Sequence, residues 1–200
     1  MRTVLTVDGS KIVRAMVSHH LARYACRIIE AADREVKKGL LYGYAFPMTD
    51  RLVKAFIHER AADRDRDEIR RIQSRFQAAF ERLREAYRKA SPRGRSHVEF
   101  WMRRTQFAVE WLDMAIACAD LGKMLGDGLK PGTLLTPQQK QSALASLDGL
   151  LDRSRSLIEM IAGDAKHIGD LGQIANMNQH VHRYLKKKRS ELESRASKPL

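Results

Sequence analysis

The chain has few of the residues that build covalent or metal-held frameworks. Of its 200 residues, two are cysteine, five are proline and 6% are aromatic. Cys26 and Cys118 are too few for a disulfide framework or a zinc site, and each lies in an apolar run that is typical of a small buried thiol. A reducing compartment is therefore expected.

Long apolar runs are also missing. The first eight residues lack the apolar core of a signal peptide, and Asp8 interrupts them well before the ~18 residues that a membrane span needs. The sequence therefore predicts a cytoplasmic chain without a membrane partner.

Positive charge and helical periodicity dominate instead. The 37 lysines and arginines exceed the 24 aspartates and glutamates, which gives a formal net charge of +13. This excess favours acidic partners or nucleic acid without naming either. With 44% hydrophobic residues, the chain can bury the core of one or two ordinary domains.

The N-terminal residues have the pattern of a strand, a helix and a second strand. Residues 3–7 are apolar and β-branched, as in a strand buried on both faces, and Ser10 can cap the helix that follows. Another short apolar run, Cys26 to Ile29, predicts the second strand. Two parallel strands joined by a helix place ligand sites at the strand ends, where Asp8 lies.

After Thr49 the sequence reads as helix. Apolar residues recur at steps of three and four from Ile69 to Ala90, Phe100 to Leu125, Leu144 to Ile161 and Leu171 to Leu192. Breaks are predicted at Ser91 to Gly94, Gly126 to Gly128 and Gly163-Asp164, and a capping box is predicted at Thr136, Pro137 and Gln139. Four or five helices with short connections indicate an antiparallel bundle.

One motif covers residues 3 to 33. It consists of Thr-Val-Leu-Thr-Val-Asp-Gly-Ser-Lys-Ile-Val-Arg-Ala-Met-Val, then His-Leu, then Cys-Arg-Ile-Ile-Glu-Ala-Ala-Asp. This stretch resembles the opening of the response-regulator receiver domain. In that family two adjacent acidic residues after the first strand hold Mg²⁺ together with a phospho-accepting Asp, and the metal neutralises the phosphoryl group during transfer.

The motif departs from the receiver pattern at the acidic positions. Asp8 matches the first acidic residue, but Gly9 occupies the second, and Gly43 falls at the acceptor position of Leu40 to Asp50. Asp8 is therefore one half of an incomplete pair of Mg²⁺ ligands, and no cofactor is expected. The resemblance implies a receiver-related segment that has lost its phosphorelay chemistry. The alternative is that Asp8 and Gly9 form an ordinary turn before a helix.

A fainter resemblance covers residues 40–188. Glu99-Phe100-Trp101, Arg103-Arg104, Phe107 and Gly169 to Ile174 are similar to helical regions that follow the catalytic barrel in glycoside-hydrolase chains. The likeness includes no catalytic carboxylate pair, so it implies an accessory fragment. Trp101 and Trp111 could then stack on a sugar or base, whereas aromatic residues at helical spacing are more often core.

Two polar groups near the C-terminus are candidate sites. Arg183, Lys186, Lys187, Lys188 and Arg189 place five cations within two helical turns and could contact phosphates. The alternative is a basic helix end that complements the macrodipole. His180 and His182, like His19 and His20, lack the spacing of four residues that suits a zinc site on a helix, so they are interpreted as surface residues.

Together these features predict a mainly α protein, a helical bundle with a short N-terminal β-α-β receiver-like segment. The predicted parts are a truncated receiver-like segment at 1–48, the bundle at 49–193 and a flexible tail at 194–200. The function that fits best is a non-enzymatic signalling or protein-interaction module, related to two-component response regulators, with a protein partner or a second copy. The alternatives are a basic nucleic-acid-associated protein and an accessory fragment of a carbohydrate-active enzyme.

Overall fold

The computed structural model describes residues 20, 23–32, 57, 66–126, 133–165 and 168–196, and these residues are mainly helical. The mainly α prediction is therefore confirmed for this part of the chain. The predicted first strand, Asp8 and the predicted domain boundary after residue 48 lie outside the described residues. The helices are α1 (23–32), α2 (Arg66–Lys89), α3 (Pro92–Leu125), α4 (Pro137–Asp164), α5 (Ile168–Asn176), a π-helical segment (Met177–His182) and α6 (Arg183–Glu193).

The second predicted strand is wrong, because Cys26 to Ile29 lies within α1. Ala25 is fully buried and shares a cluster with the half-buried Ile29, which lies one turn later on the same face. Their neighbours come from α2, the break after it and α3, and are Leu83, Ala86, Ala90 and Val98. A run of four residues is too short to show the periodicity of a helix or of a strand. The packing of this face against α2 and α3 therefore determines that the segment is helical.

The break predicted between α2 and α3 is confirmed. Ser91 precedes Pro92, which occupies the first helical position, where its missing N–H costs no hydrogen bond. The Ser91 carbonyl accepts from the Gly94 and Arg95 backbone N–H groups at 2.9 and 3.1 Å, which starts the new helix. The apolar stripes are buried as predicted, from Ile69 to Ala86 on α2 and from Phe107 to Leu125 on α3.

The capping box at the start of α4 is also confirmed. The Gln139 backbone N–H donates to Thr136 Oγ1 at 3.2 Å, and the Thr136 backbone N–H donates to Gln139 Oε1 at 3.0 Å. Two N–H groups that have no partner within the helix are thereby satisfied. The helix ends at Asp164, at the predicted break.

The helical segment from 168 to 193 is continuous but changes its winding at the π-helical segment. The Arg183 backbone N–H donates to the Asn178 carbonyl, five residues earlier, instead of four as in an α-helix. Met177, Val181, Leu185 and Leu192 are buried along this segment, which packs against α4. Lys140 of α4 donates to the Glu193 and Arg195 carbonyls at 2.8 and 2.6 Å and so holds the end of α6.

The chain divides into two compact units. The first unit consists of Met1–Glu35 with Ile72–Val109, and the second of Val36–Arg71 with Glu110–Leu200. In the part that the structure describes, no helix is both long and apolar enough to cross a membrane.

Candidate functional site

The short helix α5 exposes an apolar face. Ile168 is 88% exposed and Leu171 is 59% exposed, and Gly172 and Ala175 on the same side are exposed as well. These four positions follow steps of three and four, so they form one stripe along nine residues of helix. We call this stripe the α5 face. Large apolar side chains at such exposure are typical of an interaction surface when they occur together.

The rest of the second unit holds α5 in place. The helix packs against α4 and continues directly into the π-helical segment, where Met177 is fully buried. Gly172 has no atom within 4 Å of the position that a Cβ would occupy, so the middle of the α5 face is open space. A second helix could therefore approach the α5 backbone closely at this point.

A serine of α4 and a histidine of the π-helical segment form a hydrogen bond. Ser154 of α4 is fully buried, and its Oγ lies 2.7 Å from the Leu151 carbonyl oxygen and 2.8 Å from His182 Nδ1. A hydroxyl has one proton, and because Ser154 donates it to the Leu151 carbonyl, we assign to His182 the tautomer in which Nδ1 carries a proton and donates to Ser154 Oγ. The prediction that His182 is a surface residue is wrong, since it is half-buried and hydrogen-bonded.

This pair does not have the arrangement of an activated nucleophile. A general base must accept the serine proton, but the nitrogen that faces Ser154 is a donor and the hydroxyl is closed off from solvent. Burial, followed by the charges of Arg155 and Lys186, lowers the pKa of His182, which favours the neutral ring at physiological pH. The pair ties α4 to the π-helical segment.

The basic run on α6 is largely neutralised by neighbouring carboxylates. Lys188 and Lys187 pair with Glu191 at 2.9 and 4.0 Å, and Arg189 reaches Asp148 of α4 at 2.5 Å and Glu193 at 2.8 Å. In the described part of the chain, the remaining two cations of the run, Arg183 and Lys186, take part in no ion pair and are exposed.

Two further features of α6 concern packing more than binding. Lys188 Nζ lies 5.7 Å from the centre of the Tyr184 ring. Burial raises the pKa of Tyr184 to about 12, helped by Glu191 and by Cys118. Among the described residues, the predicted phosphate-binding run therefore has two cations that are both exposed and outside any ion pair, Arg183 and Lys186, rather than five.

An open groove lies between α3 and α4 in the second unit. Its volume is about 390 Å³, and it is lined by Ala117, Asp120, Leu121, Met124, Ser146, Gly149, Leu150 and Arg153. Asp120 also pairs with Arg66, which offsets its charge. The groove is open to solvent and its lining is mostly apolar.

The remaining candidates from the sequence are placed as follows. Trp111 and Cys118 are buried, and burial raises the pKa of the Cys118 thiol to about 12. Trp101 is half-buried against the cluster that includes Ala25, and its ring meets Phe100 edge to face. A stacking surface for sugar or base therefore does not include Trp111. Asp8 lies outside the described residues, and within those residues no three His, Cys, Asp or Glu side chains form a metal cluster.

The charge of the chain is unevenly divided between the two units. The described residues of the first unit, 23–32 and 72–109, contain eleven arginines and lysines against four glutamates, a net charge of +7. Those of the second unit, 66–71, 110–126, 133–165 and 168–196, contain thirteen cations against twelve carboxylates, a net charge of +1. The concentrated excess is therefore in the first unit and not in the basic run on α6.

Comparison with protein-family models, with curated proteins and with solved structures gives no match for this chain.

Sequence reasoning missed two features of this region. The pairing of Ser154 with His182 had one sequence signal, because Ser154 is a polar residue on the otherwise apolar stripe of α4 that includes Leu150 and Leu157. The α5 face had none, since the sequence predicts Leu171 on the buried stripe of the last helix, and that prediction is wrong because Leu171 is 59% exposed. Which apolar residues of a helix stay exposed depends on what packs against it.

Proposed function

We propose that the chain is a non-enzymatic protein-interaction module, and that it docks a second copy of itself through the α5 face. The observation that carries this proposal is the exposure of Ile168 and Leu171 at 88% and 59% on neighbouring turns. Covering both side chains would release about 2–4 kcal/mol per copy, since full burial of such a side chain contributes about 1.5–3 kcal/mol.

A second copy fits this face for two reasons. The α5 face begins with two large residues, Ile168 and Leu171, and ends with two small ones, Gly172 and Ala175. In a two-fold-related copy that lies antiparallel, the large half of one stripe therefore faces the small half of the other. The described residues of the second unit carry a net charge of +1, so two such surfaces meet with little repulsion.

The signalling role depends on the receiver resemblance of residues 3–50. Asp8 and Gly43, which that comparison uses, lie outside the described residues, so the link to two-component signalling remains a proposal. It is supported by the motif alone. An interaction module without phosphorelay chemistry is consistent with a receiver pattern in which glycine replaces two acidic residues.

The oligomeric state tests the docking proposal. Size-exclusion chromatography with light scattering and sedimentation velocity should show a dimer of the wild-type chain that dissociates on dilution. Leu171→Lys should raise the dissociation constant by at least about thirtyfold, because two copies each lose about 1–2 kcal/mol of apolar burial. Leu134→Lys is the matched control, since Leu134 is an equally exposed leucine, at 53%, away from the α5 face.

The outcomes separate clearly. A monomer at every concentration would refute the second copy as occupant, and so would an equal effect of Leu134→Lys and Leu171→Lys. Far-ultraviolet circular dichroism of both variants shows whether each remains helical. A dimer that persists in Leu171→Lys would place the contact elsewhere and would also refute the proposal.

A further inference from the structure

The turn between α2 and α3 concentrates exposed cations. Arg88 and Lys89 end α2, and Arg93 and Arg95 lie in the first turn of α3, so four cations occupy eight residues, all of them exposed. We call these four residues the turn cluster. It belongs to the first unit, whose described residues carry the net charge of +7.

The turn cluster differs from the basic run on α6 in its pairing. Lys89 Nζ lies 2.6 Å from Glu85 Oε1, and this hydrogen bond, together with the charges of Lys89 and Arg82, lowers the pKa of Glu85. Among the described residues, Arg88, Arg93 and Arg95 take part in no ion pair. Three guanidinium groups therefore remain available to an anion at this turn, whereas three of the five cations on α6 are engaged.

The start of α3 adds to the positive potential. No acidic residue lies in its first turn, and the N-terminal end of a helix is itself positive. Arg93 and Arg95 therefore repel the helix end on which they lie, and an anion bound there would relieve both effects. Ser91 caps the helix only weakly, with its Oγ 3.4 Å from the Gly94 backbone nitrogen.

An aromatic component accompanies the charge. The Arg95 guanidinium lies 5.7 Å from the centre of the Tyr87 ring, and the Arg104 guanidinium lies 5.2 Å from that of Phe100. Arg93, His97, Phe100 and Arg104 follow steps of four, three and four, so they lie along one side of α3. Arginine beside an aromatic ring combines N–H donors that suit a phosphate with a planar group that can stack on a base.

We propose that the turn cluster and the adjoining side of α3 bind the phosphodiester backbone of a nucleic acid. The guanidinium groups of Arg88, Arg93 and Arg95 donate to phosphate oxygens, and the aromatic pairs extend the surface along α3. This proposal is independent of the α5 face, which lies in the other unit. A lipid surface or an acidic protein would use the same charges without needing the aromatic neighbours of Arg95 and Arg104, and both are outcomes of the test.

Binding is measured by fluorescence anisotropy with the full chain. The probes are labelled single-stranded RNA and duplex DNA of equal length, titrated at salt concentrations between about 50 and 200 mM. Arg93→Gln with Arg95→Gln should weaken binding and flatten the dependence of log K on log salt by about 1.4–1.8, the contribution of two phosphate contacts. Arg93→Lys with Arg95→Lys should restore the slope.

The control removes the same number of positive charges, two, from the basic run on α6. Arg183→Gln with Lys186→Gln deletes the two exposed, unpaired cations of α6 and should leave affinity and slope at the wild-type level. Failure of both nucleic acids to bind, or an equal loss in the two double variants, would overturn the proposal. Stronger binding to vesicles that contain phosphatidylserine, or to an acidic polypeptide, than to either nucleic acid would also overturn it. Circular dichroism establishes that each variant is folded.

Discussion

Replacing Ser154 with alanine removes a fully buried hydroxyl that joins α4 to the π-helical segment. The Leu151 carbonyl loses an additional donor and keeps the helical N–H four residues later, so little is lost there. His182 Nδ1, which lies 2.8 Å from the hydroxyl, loses its acceptor in a half-buried place. An unsatisfied buried donor costs about 1–3 kcal/mol, and the half-exposed ring places this case at about 1–2 kcal/mol.

The measurement is urea denaturation followed by circular dichroism, together with thermal melts. For a chain of this size, 1 kcal/mol corresponds to about 2–4 °C, so Ser154→Ala should lower the melting temperature by about 2–8 °C. Ser146→Ala is the matched control on the same helix. Its hydroxyl donates to the Ser142 carbonyl at 3.0 Å, so that substitution should change stability little.

A double-mutant cycle isolates the contact itself. Ser154→Ala, His182→Gln and the double variant should show a coupling of about 0.5–1.5 kcal/mol. If Ser154→Ala and Ser146→Ala are equally stable, or if the coupling is absent, the assigned hydrogen bond between α4 and the π-helical segment does not contribute as argued.

Three further outcomes are expected. Arg93→Glu removes a cation from the N-terminal end of α3 and adds an anion, at about 0.3–1 kcal/mol each, so it should raise the free energy of unfolding by about 0.6–2 kcal/mol. Arg88→Glu, at the C-terminal end of α2, should lower the free energy of unfolding for the opposite reason. Urea titrations that give both substitutions the same sign would refute the helix-dipole argument. Arg155→Gln with Lys186→Gln should raise the pKa of His182 in a nuclear magnetic resonance titration, because both cations disfavour the charged ring. The pKa of His182 in the folded chain lies below the ordinary 6.5. The neutral ring therefore contributes stability at pH values above 6.5, and this contribution is lost as the pH falls through the folded pKa. The loss should be smaller in the double variant. Cys118, buried and with its pKa raised to about 12, should resist a thiol reagent in the native chain while the half-buried Cys26 reacts; equal rates would contradict its burial.

Local signals in the sequence located the helix boundaries well. Thr136, Pro137 and Gln139 predict a capping box because all the groups involved lie within four residues, and no distant contact is needed to form it. The break at Ser91 and Pro92 is predicted for the same reason. In contrast, Cys26 to Ile29 is too short to show a helical or a strand period, so packing against Leu83 and its neighbours decides.

Features that depend on distant partners could not be predicted in this way. Ser154 and His182 are 28 residues apart, and the π-helical winding that brings the ring to the hydroxyl has no signal in the sequence. Arg189 and Asp148 are 41 residues apart, so the sequence shows the cation as part of a run and not as half of an ion pair. The exposure of Ile168 likewise depends on whether another part of the chain packs over its side chain, which the local sequence does not show.

The position of the positive charge shows how far a linear run of cations differs from a cationic surface. Five cations stand within seven residues of α6, yet Glu191, Glu193 and Asp148 neutralise three of them. The turn cluster has fewer cations in sequence, but a break at Pro92 places the end of α2 beside the start of α3. Among the described residues, Glu85 is the carboxylate that forms an ion pair with the turn cluster, through Lys89. A net charge of +13 therefore predicts an anionic partner only where folding leaves the cations unpaired. In the described residues that condition is met best at the turn between α2 and α3, and the contrast between the two double variants, at equal charge, measures it directly.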